Sequence, residues 1–108
     1  MRKQFLIVVG LLISTAASAQ DWKPTVDKWR ACGDAAAARY SKSTESAPVV
    51  ARLAALACHD EKKQAYQAVS QSESSAFADQ YIEAAERYYV DRLSVNVVEM
   101  RLHGSEKR

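Results

Sequence analysis

The sequence predicts an all-α fold, a small three-helix bundle that consists of a disulfide-stapled helical hairpin and a long third helix. Three observations support this prediction. Apolar residues recur at three- and four-residue steps through most of the chain, which is the period of an amphipathic helix. The two cysteines, Cys32 and Cys58, each lie 13 positions from Glu45, inside a polar segment typical of a turn. After a second polar turn, the helical period continues over residues 75–102.

The N-terminus has the three parts of a secretory signal peptide. Arg2 and Lys3 precede an apolar run over residues 5–13, and residues 17–19 form a small-x-small cleavage site. The apolar run is shorter than the roughly 20 residues that span a bilayer. We therefore expect a signal peptide over residues 1–19, a periplasmic or secreted location, and no membrane span after cleavage. The alternative is a retained N-terminal anchor helix.

The predicted mature chain, residues 20–108, forms a single helical domain without a charge surplus. The whole chain has 15 Lys and Arg against 13 Asp and Glu, and the leader removes Arg2 and Lys3, so 15 minus 2 leaves 13 of each sign. A surplus of basic residues is what favours binding to nucleic acid or to an anionic membrane. We therefore expect no nucleic-acid partner.

The first two helices are predicted at about residues 24–42 and 48–69, with Pro24 and Pro48 in their first turns. Two residues at equal distance from a bend lie at equal height on a hairpin. A disulfide requires Cα atoms about 4.4 to 6.8 Å apart, so the placement of the cysteines predicts a bond between Cys32 and Cys58. In a small exported domain, such a bond is expected to stabilise the fold.

The same register places small residues opposite one another. It sets Ala36 against Ala54 and Gly33 against Ala57. A glycine inside a helix costs about 0.5 to 1 kcal/mol relative to alanine, and close approach of the second helix would offset this cost at Gly33. The alternative is a tolerated glycine without a role.

The third helix is predicted at about residues 75–102, with a capping box from Ser70 to Glu73 before it and a left-handed Gly104 after it. It carries two apolar stripes, which suggests one hairpin helix against each. β-branched residues in 95–102 leave a strand or a fraying end as alternatives. The first stripe contains Phe77, Tyr81, Ala84, Tyr88, Val95, Val98 and Leu102, and the second contains Ala78, Ile82, Ala85, Tyr89, Leu93 and Met100.

The third helix is also predicted to be longer than the hairpin, because its 28 residues extend roughly 42 Å and the second helix extends roughly 33 Å. We therefore expect residues 95–102 to reach beyond the hairpin and to pack on a second copy or on another envelope protein. The alternative is that this end frays or folds back over the turn at residues 43–47. Most aromatic residues fall on predicted core stripes, whereas Tyr66 does not. The candidate partner surface is Tyr66, Val95, Val98, Met100 and Leu102.

Residues 58–61 combine a thiol, an imidazole and two carboxylates, but neighbouring helical side chains point about 100° apart and do not converge on one ion. The sequence therefore predicts no metal site. It contains neither a C-x-x-C pair nor a glycine-rich phosphate-binding loop. We expect no catalytic residues and no cofactor.

Two short segments, Trp29-x-x-Cys32-x-Asp34 and Ala57-Cys58-x-x-Glu61-Lys62, resemble the acid-activated periplasmic chaperones, which are small exported helical proteins with one disulfide. In that family the cysteines lie much farther apart, so no functional residue is carried over. The resemblance implies an envelope-stress chaperone that opens at low pH. The first hypothesis is instead a protein–protein interaction module.

Overall fold

The computed structural model describes residues 21–106, so the predicted signal peptide and its cleavage site lie outside the described residues. In the described part the chain forms helices and no strand, which confirms the all-α prediction. The strand alternative for residues 95–102 is wrong, because the whole segment is helical. The helices are α1 (Lys23–Tyr40), α2 (Ala47–Ala57), α3 (His59–Ser72) and α4 (Ser75–Glu106).

The predicted second helix is divided into α2 and α3 at Cys58. The backbone N–H of Cys58 donates to the carbonyl of Ala55, three residues back, at 3.2 Å, and its φ and ψ of −104° and 28° are not helical. The N–H of Lys62 then donates to the Cys58 carbonyl at 3.0 Å, and the regular four-residue pattern resumes. The interruption lasts one residue. The apolar pattern gave no sign of it because the two halves keep the same helical period.

Side chains cap α2 and α4 at their N-termini. Ser46 accepts a hydrogen bond from the Val49 N–H at 3.4 Å, and Ser74 accepts one from the Phe77 N–H at 3.0 Å. The predicted capping box at Ser70 is wrong, because Ser70 lies within α3. Pro24 and Pro48 stand in the first turns of α1 and α2, as predicted.

The predicted end of the last helix at Gly104 is also wrong. The helix α4 continues to Glu106, and no described glycine has a positive φ. Gly104 therefore does not take the left-handed conformation of a C′ residue.

The Cys32–Cys58 disulfide is confirmed, with Cα atoms 5.9 Å apart. Cys58 is buried, as are Ala36 and Ala54.

The prediction that Gly33 lies against Ala57 is wrong. Ala57 is exposed, and a Cβ on Gly33 would instead lie 3.4 Å from Cδ1 of Leu93 in α4. Gly33 of α1 therefore faces α4, the third arm of the bundle.

The helices α1 and α4 run side by side in the same direction, with residue numbers that differ by about 60. The rings of Trp22 and Tyr81 meet edge-on with centroids 5.1 Å apart, and those of Trp29 and Tyr89 do the same at 5.1 Å.

Residues from all four helices form one core. Its buried members include Val26, Trp29, Ala37, Val50, Ala51, Ala65, Val69, Ala78, Ile82, Leu93 and Val97.

The last turns of α4 lie against the loop at residues 41–46. The Arg101 guanidinium donates three hydrogen bonds, to the carbonyl oxygens of Ser41 at 2.9 Å, Ser43 at 2.9 Å and Glu45 at 2.7 Å. The prediction that residues 95–102 reach beyond the hairpin is therefore wrong. The turn before α4 lies at residues 73–74 rather than 71–75, so α2 and α3 together extend farther along α4 than the predicted second helix would.

Removing the disulfide should destabilise the fold. A loop of this length contributes roughly 3.5 kcal/mol in the chain-entropy model, so the double variant Cys32→Ala/Cys58→Ala should lose about 2 to 4 kcal/mol of unfolding free energy in urea titrations. The parent protein measured with reductant is the matched control and should lose a similar amount. A double variant within about 0.5 kcal/mol of the oxidised parent would contradict the stabilising role.

Arg101→Met should also lower the unfolding free energy, by about 1 to 2 kcal/mol, because three carbonyls of the loop lose a charged donor while the aliphatic stem is kept. Arg52→Met, at an exposed arginine of α2, is the control and should change stability by less than about 0.5 kcal/mol. Equal urea midpoints for the two variants would show that the Arg101 bonds contribute nothing.

Candidate interaction surface

One face of α4 carries a line of apolar and aromatic residues that are mostly exposed. Tyr81 is the exception, because it is partly buried and packs against the core. We call this line the outer stripe. From residue 77 to residue 102 its positions alternate steps of four and three residues, and Asp91 occupies the one polar position. The exposed fractions are 41% at Phe77, 55% at Tyr88, 60% at Val95 and 58% at Leu102. The outer stripe consists of Phe77, Tyr81, Ala84, Tyr88, Val95, Val98 and Leu102.

The prediction that each stripe of this helix packs on a hairpin helix is wrong for the outer stripe. The hairpin covers the second stripe, in which Ala78, Ile82 and Leu93 are buried. The neighbouring helices also bond to this inner side: Lys62 of α3 donates to the Glu86 carboxylate at 2.8 Å. Trp22 of α1 also contacts Tyr81, but Phe77, Tyr88, Val95, Val98 and Leu102 of the outer stripe remain exposed.

The N-terminal half of the outer stripe is aromatic. Phe77 stacks on Tyr81 with centroids 5.8 Å apart, and Tyr81 in turn meets Trp22 of α1. Farther along, the Arg92 guanidinium lies 5.9 Å from the centre of the Tyr88 ring and donates to its hydroxyl at 3.5 Å. Tyrosine, tryptophan and arginine are the residues that most often dominate binding energy at protein interfaces.

Only part of the predicted partner surface lies on the outer stripe. Val95, Val98 and Leu102 lie on the outer stripe and are exposed. Met100 and Tyr66 are partly buried and pack against the core. The Tyr66 hydroxyl donates to the Asp79 carboxylate at 2.7 Å, and this hydrogen bond is the main reason that the pKa of Tyr66 is raised.

The sequence predicts core positions for two members of the outer stripe. Phe77 and Tyr88 have the helical spacing of core residues, and both are more than 40% exposed. Tyr89, the next residue along the chain, is partly buried, and burial is the main cause of its raised pKa. The full 4-3 alternation from Phe77 to Leu102 is the signal that identifies these residues as one continuous face.

The disulfide brings three metal-ligating atoms together at the hairpin. The sulfurs of Cys32 and Cys58 and a carboxylate oxygen of Glu61 lie within 4.8 Å of one another. Both sulfurs are bonded to each other, and metals bind thiolates. In the oxidised protein these atoms therefore do not make a metal-ligand set.

A small cavity lies beside the disulfide, with a volume of about 20 Å³. Its walls include Trp29, Gly33, Cys58 and Leu93. A space of this size holds about one water molecule. The cavity is therefore too small for an organic ligand.

No protein-family model, curated protein or solved structure matches the chain. Among residues 21–106, no helix combines the length and the apolar content that crossing a bilayer requires.

Proposed function

We propose that this protein is a periplasmic or secreted module that binds another protein chain through the outer stripe of α4. The observation that carries the proposal is the run of mostly exposed aromatic and aliphatic side chains along one side of a 32-residue helix, in which Asp91 is the one polar residue. Contiguous exposed apolar patches on small proteins mark interaction sites, whereas scattered apolar residues do not. The role is binding rather than catalysis.

The location in the proposal rests on the leader and on the disulfide. A bond between Cys32 and Cys58 is consistent with an oxidising compartment. The bond also holds α1 against the arm that supports α4, so an oxidising environment favours the form in which the outer stripe is held rigidly.

A capture experiment with matched variants tests this function. The bait is the full 108-residue chain, expressed with a C-terminal tag and recovered from the periplasm, where its mass should lack residues 1–19. It is incubated with envelope extract that also contains untagged protein. Val95→Asp places a charge in the middle of the outer stripe, at a position where the exposed side chain leaves the fold unchanged. We expect this variant to lose the chains that the parent retains.

Leu56→Asp is the matched control. Leu56 is 72% exposed on α2 and does not belong to the outer stripe, so the same chemical change there should leave capture intact. Circular dichroism should give the same helix content for all three proteins. Identical sets of captured chains from the parent and from Val95→Asp would refute binding through the outer stripe.

A further inference from the structure

We infer that the chain that pairs with the outer stripe is a second copy of this protein, bound antiparallel in a symmetric two-helix coiled coil. This inference rests on the proposed function and names the partner of the same surface. In heptad terms, residues 81, 88, 95 and 102 occupy position a, and residues 77, 84, 91 and 98 occupy position d. Both positions are apolar or aromatic throughout, apart from Asp91.

The spacing of the outer stripe is the same in both directions. From residue 77 to residue 102 the steps are four, three, four, three, four, three and four. In an antiparallel pair, the numbers of two residues that lie opposite each other always add up to the same sum. If that sum is 179, every a position lies opposite a d position of the second copy. A two-fold axis through the middle of the helix therefore matches the whole stripe with itself, as a closed dimer requires.

In this register, large residues face smaller ones along the seam, the line of a and d positions where the two helices meet. Phe77 faces Leu102 of the second copy, and the small Ala84 faces Val95. The aromatic half of one helix thus lies on the aliphatic half of the other. Large residues beside small ones fill the seam without voids.

Asp91, the one charged residue in the seam, lies beside polar and basic groups of the second copy in this register. Asp91 faces Tyr88 of the second copy, whose hydroxyl can donate to the carboxylate, and Arg87 of the second copy lies one residue farther along. The two-fold axis makes these contacts twice. A carboxylate that is hydrogen-bonded and paired with a cation can be buried at an interface, whereas an unpaired one is strongly unfavourable.

A parallel pair would place like charges together. Asp91 would face Asp91 in the seam, and Arg87 at position g would face Arg92 at the following e position. In the antiparallel pair, Arg87 lies across from Ser94 and Arg92 lies across from Ala85. Charge complementarity therefore selects the antiparallel orientation.

Sedimentation equilibrium of the mature, oxidised protein tests whether the dimer exists. The parent should change from monomer to dimer as its concentration rises to about 1 mM, where an association free energy of about −4 kcal/mol is already sufficient. Val95→Asp should weaken the dimer at least about tenfold, and Leu56→Asp should dimerise like the parent. A parent that remains monomeric over this range overturns the inference.

Cross-linking of mixed single-cysteine variants tests the orientation. Ala84→Cys and Val95→Cys face each other across the antiparallel seam, whereas two copies of either variant hold their new thiols about 16 Å apart along the axis. A short thiol cross-linker should therefore join the mixture much more efficiently than either variant alone. The native cysteines are oxidised and do not react. Efficient joining of each variant to itself, with no product in the mixture that links residue 84 to residue 95, would show a parallel pair and overturn the inference.

The two experiments separate this inference from the proposed function. If the parent is monomeric but captures a different chain that Val95→Asp loses, the dimer is wrong and the binding function remains. If the parent and Val95→Asp are both monomeric and capture the same chains, both are wrong.

Discussion

The disulfide between Cys32 and Cys58 fixes the height of α1 against the second arm of the hairpin, and the rest of the bundle depends on this register. With α1 held there, Trp22 and Trp29 meet Tyr81 and Tyr89 of α4. A shift of α1 by one turn would move both ring pairs about 5.4 Å out of contact. The disulfide in the hairpin thereby determines the position of α4 against α1.

The hairpin has room for one face of α4. A helix that lies in the groove between two others buries one arc of its surface, and here that arc contains Ala78, Ile82, Leu93 and Val97. The opposite arc is also apolar but remains in water. Each large side chain left there forgoes about 1.5 to 3 kcal/mol of stabilisation relative to full burial. Burial against a second chain would recover part of this free energy, which is the physical basis of the proposed interaction.

The sequence was sufficient to predict the all-α fold, the paired cysteines and the three arms of the bundle. The break at Cys58 was not predictable from periodicity, because a one-residue interruption leaves the apolar pattern in phase. The position of the last turns was wrong for a different reason: a second arm predicted at residues 48–69 is shorter than the observed α2 and α3 together. Apolar spacing also could not show which of the two stripes of α4 faces the hairpin.

The candidate surface was predicted in part. Val95, Val98 and Leu102 are exposed as the surface requires, while Met100 lies toward the core and Tyr66 bonds to Asp79. Phe77 and Tyr88 were missed because large rings in an alanine-rich chain are expected to fill the core. The acid-activated chaperone hypothesis stays a prediction, since it concerns a low-pH state rather than the folded bundle described here.

Methyl NMR as a function of protein concentration tests most directly whether the outer stripe pairs with a second copy. The methyl signals of Val95, Val98 and Leu102 should shift together as the concentration rises, because their surroundings change from water to the side chains of the second helix. Those of Leu53 and Leu56, which are exposed on α2, should not move. Stripe methyls that keep their shifts over the whole range, or shifts confined to Leu53 and Leu56, would contradict pairing through this face.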